Sequence, residues 1–102
     1  MKSIIPPLQI NDHNKKVANL QEVLEALGFP IDKKEKDDQL FDGTTAEAIE
    51  NFQAKSRLEV SGMVDTETAD MLNNAMHERG LFVYKVSGKV FKQFEESLTK
   101  KK

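Results

Sequence analysis

From Val17 onward the apolar positions recur at intervals of three and four. Val17, Leu20, Leu24 and Leu27 form one stripe at the helical period, and Val23 widens it. The spacing predicts a first helix starting near Asn14. Gly28 supplies a stop, and Phe29-Pro30 makes the stop firm. A second stripe, Ala48, Ile49 and Phe52, predicts a helix beginning after Asp42, whose carboxylate is placed to accept from the first-turn N–H groups. Thr44 with Glu47 is a competing capping-box start. Leu58 and Val60 follow in a turn region that Gly62 closes. A third helix is expected after Asp65, with Thr68, Met71, Leu72, Ala75 and Met76 on its inner face and Gly80 at its end.

The stretches between and around these helices read differently. Residues 1–13 look extended, because Pro6-Pro7 bars a helix there and favours a polyproline-like arm. Residues 32–38 are all charged and predict a solvated loop. After Gly80 the period shortens. Residues 81–86 read as a strand, Ser87-Gly88 as a turn into Lys89-Val90-Phe91, and Phe91, Phe94 and Leu98 as a short amphipathic helix. A lone hairpin is marginal in water, so this tail must dock on the helices or open a following β domain. The expected architecture is mainly α: a compact three-helix bundle over residues 14–80, preceded by the arm 1–13 and followed by a β-hairpin-like tail over 81–102.

An internal repeat organises the bundle. The stretch from Asp38 to Ile49 aligns with that from Ser61 to Leu72 at an offset of 23 residues. Each copy has an apolar pair (Leu40-Phe41, Met63-Val64), an Asp, a Thr three positions later, then Ala, an acid and two apolar residues. The pair reads as a short extended segment pinned to the core. The Asp caps the helix that follows, and the Thr completes its first turn. Two copies are too few for a solenoid, so a bundle is the simpler solution.

Composition narrows the functions. A chain of 102 residues is one domain with a modest core. With no cysteine, disulfides, thiolate metal sites and cysteine nucleophiles are excluded. Charged residues make up 31% of the chain but the net charge is −2 and the signs are mixed, so no nucleic-acid partner is expected. Lys100-Lys101-Lys102 reads as a solvated end. No apolar run reaches membrane-spanning length. Ile4-Ile5-Pro6-Pro7 is too short and proline-broken for a secretory signal, so the chain is either cytosolic or, as expected here, part of a longer exported protein. His13 and His77 show no metal-ligand spacing. The acidic pairs Asp37-Asp38 and Glu95-Glu96 are sequence neighbours that face different ways, and there is no phosphate loop and no nucleophile with a base. No catalysis and no cofactor are expected. Met63, Met71 and Met76 read as core gap-fillers. Gln21 and Gln53 each follow a core residue.

These residues together carry a family likeness. Val17, Leu20-Gln21, Leu24 and Leu27-Gly28-Phe29 make a first block; Phe41, Thr45, Ala48-Ile49 and Phe52-Gln53 a second; Leu58, Gly62, Val64, Thr68 and Leu72 a third. In this order and spacing, over residues 14–76, they resemble the peptidoglycan-binding domain family. The resemblance implies a non-catalytic module that binds cell-wall peptidoglycan or its fragments and targets a larger protein, outside the cytoplasm. The resemblance implies that Gln21 and Gln53 cap loop backbone groups, with hydrogen bonding to a glycan or stem peptide as the alternative, and that the ligand is read at the loops before the second and third predicted helices. There this chain departs from the pattern: Gln39 and Arg57 stand where the family has glycine, Asp42 and Asp65 replace loop glycines, and Ser61 replaces an aspartate. Gln39, Asp42, Arg57 and Asp65 are therefore the candidate ligand-binding residues. The same departures motivate an alternative: a protein–protein or structural module of a large surface or toxin-like assembly that kept the fold and lost the ligand. The stretch 83–90 also resembles the opening strand of a carboxypeptidase-regulatory-like β-sandwich.

Overall fold

The computed structural model describes residues 1–80. The expected strand, turn and short helix at 81–98 lie outside the described residues. Four helices follow one another: α1 Lys15–Ala26, α2 Lys33–Asp38, α3 Gly43–Lys55 and α4 Thr66–Glu78. Among the described residues there is no sheet, only two isolated antiparallel bridges, Leu8 with Val64 and His13 with Leu40.

The first helix starts and stops for the expected reasons. Asn14 caps α1, its side chain accepting from the Val17 N–H at 3.1 Å. At the other end Phe29 N donates to Leu24 O and Gly28 N to Glu25 O, with Gly28 at φ 98°, the paired bonds of a Schellman stop. The helical stripes meet in one core: Leu20, Leu24, Ile49, Phe52, Leu72 and Met76 are all buried. Each such side chain contributes roughly 1.5–3 kcal/mol by leaving water. The apolar pairs alternate as extended segments should, with Phe41 and Val64 fully buried and their neighbours turned outward. Met63 is thus exposed, not a gap-filler; Met76 is buried and Met71 packs against the core.

The three-helix expectation needs correction at residues 32–38. This charged run is not a solvated loop: residues 33–38 form α2, and Glu35 within it is 8% exposed. The helical signal was present in the spacing of opposite charges. Lys33 pairs with Asp37 at 2.8 Å and Lys34 with Asp38 at 3.5 Å, both four residues apart. Such exposed pairs contribute little. What holds α2 in place is the burial of Glu35.

The arm is also more than an appendage. Ile4 and Leu8 are core residues. Leu8 and Val64 exchange both backbone hydrogen bonds (3.1 and 2.8 Å), and Phe41 N donates to Asp12 O while Asn11 N donates to Phe41 O. Two asparagines act as substitute strands: Asn73 pairs with both backbone groups of Ile4, and Asn19 with both of Lys2. The arm therefore fastens both extended pairs of the repeat, and no more than about 10 Å of chain separates Leu8 from Asn11.

Candidate functional site

The two loop-to-helix junctions are the start of α3 and the start of α4. Each is organised by a buried glutamine on the preceding core helix. At α4, Gln53 Nε2 donates to Met63 O (2.9 Å), Thr68 Oγ1 (3.0 Å) and Ser61 Oγ (3.2 Å). Its Oε1 accepts from Ser61 N (2.9 Å) and Gly62 N (3.1 Å). At α3, Gln21 Nε2 donates to Leu40 O (2.9 Å), Thr45 Oγ1 (3.1 Å) and, at 3.4 Å, Glu35 O. Gln21 and Gln53 thus cap loop backbone groups, as the resemblance implied.

The helix caps differ. Asp65 Oδ1 accepts from Thr68 N at 2.8 Å, as predicted for an N-cap. Hydrogen bonds from Thr68, backbone first, hold the Asp65 carboxyl below the usual carboxylate range. Asp42 occupies the cap position of α3 by its backbone, but its carboxylate makes no capping bond. Glu35 replaces it. One Glu35 oxygen accepts from Thr44 N (2.8 Å) and Thr44 Oγ1 (2.7 Å); the other accepts from Thr45 N (3.0 Å), Thr45 Oγ1 (2.8 Å) and Asp42 N (3.3 Å). Burial pushes the Glu35 carboxyl up, but the hydrogen bonds from Thr44 and Thr45 together outweigh it, and it stays ionised below its ordinary range. Thr44 is no capping-box residue; its hydroxyl accepts from Asp32 N at 2.9 Å and relays to Glu35.

The four candidate ligand residues fall into two kinds of place. Gln39 and Arg57 hold the left-handed positions that end α2 and α3, at φ 53° and 60°. Leu58 N closes the α3 end on Gln53 O at 2.8 Å. These are backbone positions where glycine costs least, which accounts for the family's glycines there. Asp42 and Asp65 follow Phe41 and Val64, the two segments fastened side by side by the arm. Gln39 and Asp42 belong to one turn, whereas Arg57 lies at the far end of α3, about 20 Å of helix away. Three of the four therefore have a structural task, and Asp42 alone presents a carboxylate that no cap employs.

Open grooves mark the surface of the described residues. One of about 410 Å³ runs between the arm and α1 and is lined by Lys2, Lys15, Asn19, Gln21, Glu22 and Lys36, among others. A smaller one of about 150 Å³ lies by Phe29, Phe52, Lys55 and Arg79, where Phe29 and Phe52 meet edge to face at 6.0 Å and Lys55 Nζ sits 5.7 Å from the Phe29 ring centre. Among the described residues no group of three His, Asp or Glu side chains is placed to hold a metal, and no helix is long and apolar enough to cross a membrane. The side chains at the junctions donate and accept hydrogen bonds, which is the equipment of polar recognition. Glu35 was the residue missed: one buried acid among seven charged positions leaves no mark in composition.

The family model described as "Putative peptidoglycan binding domain" matches residues 13–72 of this chain, more than half of its length. No curated protein gave a significant match.

Proposed function

Because the chain belongs to the peptidoglycan-binding domain family, we propose that it is a non-catalytic module that holds a larger protein to the cell wall, outside the cytoplasm. The observation that carries this reading is the family match over residues 13–72, whose three sequence blocks coincide with the buried core and both glutamine-organised junctions. Contact with peptidoglycan is assigned to the loops before α3 and α4, at Gln39, Asp42, Arg57 and Asp65. Shallow grooves and polar loop atoms suit weak, wet binding to a repeating polymer, where affinity accumulates over many modules rather than in one pocket. Co-sedimentation with purified sacculi tests this. The domain is expected in the pellet above an albumin control, and the Asp42→Ala variant is expected to pellet less while unfolding at the same urea concentration. Equal recovery of domain and albumin defeats the reading.

A second reading is favoured by Gln39 and Arg57, bulky residues at left-handed positions where the family keeps glycine. Under it the bundle serves a large assembly as a structural module and has lost the wall ligand. Saturable muropeptide binding that weakens in Asp42→Ala excludes this second reading.

A further inference from the structure

The groove between the arm and α1 has features that the junctions do not explain. Its lysines Lys2 and Lys15 make no ion pair with any described residue, and neither does Lys16 in the smaller groove adjoining it. Only Lys36 is neutralised, by Glu25 at 2.8 Å. Lys15 and Lys16 open α1, and its first turn contains no acid. Two cations thus sit at the positive end of a helix dipole, an arrangement that an anion relieves. Gln21 lines the same groove, is 1% exposed, and its Oε1 is the one buried side-chain polar atom among the described residues without a hydrogen-bond partner. The orientation of this amide is fixed, because Nε2 faces the Leu40 carbonyl. A buried carbonyl oxygen without a donor costs free energy until one arrives.

We propose that this groove binds a short peptide with a free carboxylate. Lys2 and Lys15 hold the carboxylate, and Gln21 Oε1 accepts a peptide N–H as the groove opens to admit it. Lys2 lies outside the residues that the family model matches, whereas Lys15 and Gln21 lie within them. The inference deepens the wall-binding reading, on which it rests for the source of the peptide: the acidic stem peptide, rather than the glycan, enters this groove.

Two-dimensional NMR of the full chain tests it, with acetyl-D-alanyl-D-alanine as probe and its C-terminal amide as the uncharged control. The acid is expected to shift the Lys2, Lys15 and Asn19 backbone signals and the Gln21 side-chain amide saturably, and the amide to bind at least tenfold more weakly. Lys2→Glu and Lys15→Glu are each expected to weaken the acid about tenfold, while Lys34→Glu on α2 leaves it unchanged. Lys15→Glu places an acid in the first turn of α1 and so preserves the helix. Equal binding of acid and amide, or unaltered binding in both charge reversals, overturns the proposal. A domain that sediments with sacculi but ignores the dipeptide loses only the groove. One that takes the dipeptide at Lys2 and Lys15 but not sacculi loses the wall reading instead.

Discussion

At the start of α4 the acceptor for the first turn is the cap residue itself, Asp65. At the start of α3 the matching Asp42 makes no such bond, and Glu35, seven residues upstream, accepts from both Thr44 and Thr45. The glutamines diverge in the same sense. Gln53 uses both ends of its amide because the loop before α4 offers it the N–H groups of Ser61 and Gly62. The residue equivalent to Gly62 in the first unit is Gln39, and its N–H is consumed by Lys36 O at the end of α2. Gln21 Oε1 is left over. A helix start thus needs its N–H groups satisfied, but by no particular residue. Once one unit recruits a distant acid on an extra helix, the rest of its hydrogen bonding must rearrange.

The largest expected effect separates the two units at their caps. Glu35→Ala should cost about 3 kcal/mol in urea unfolding, since it strands the first-turn donors of α3. The pH dependence has a definite sign. The folded-state pKa of Glu35 is lowered, so its stabilisation is present above the unfolded carboxyl value near 4.3 and is lost as pH falls through the folded value. Asp65 acts in the same direction. Urea midpoints should fall on acidification below about pH 4, and Glu35→Gln should flatten that fall; an unchanged slope in Glu35→Gln would falsify the assignment.

Next come the glutamines. Gln53→Met should destabilise by about 2 kcal/mol, because Met63 O and two loop N–H groups lose their partner. Gln21→Met should cost about 1 kcal/mol, because it also removes an oxygen that had none. A reversed order in the same unfolding assay breaks the comparison. The cap aspartates should then differ more modestly: Asp65→Ala by about 1 kcal/mol, Asp42→Ala by less than about 0.5 kcal/mol. The smallest effect concerns the left-handed stops. Arg57→Gly should raise stability by about 0.5 kcal/mol, the relief at φ 60° being partly offset by the entropy of the freer chain. Thermal unfolding should register it as a rise of a few degrees.

The amino-acid order determined those features whose causes lie within one turn of chain. The stripes of α1, α3 and α4, the Asn14 and Asp65 caps, the Gly28 and Gly80 stops and the alternation of Phe41 and Val64 follow from local periodicity and capping chemistry. The repeat also exposed both junctions. Tertiary structure decided what depends on partners far along the chain. Residues 32–38 read as solvent-facing because every one is charged, and the donors of Asp42, Thr44 and Thr45 offset the burial of Glu35. Likewise the arm reads as a plain extended segment, and Val64, Phe41, Asn19 and Asn73 give its backbone groups their long-range partners. Hydrogen-bond donors and acceptors carry no label for the residue they will meet. Where satisfaction is local the sequence displays it, and where it is long-range the packed chain must be seen.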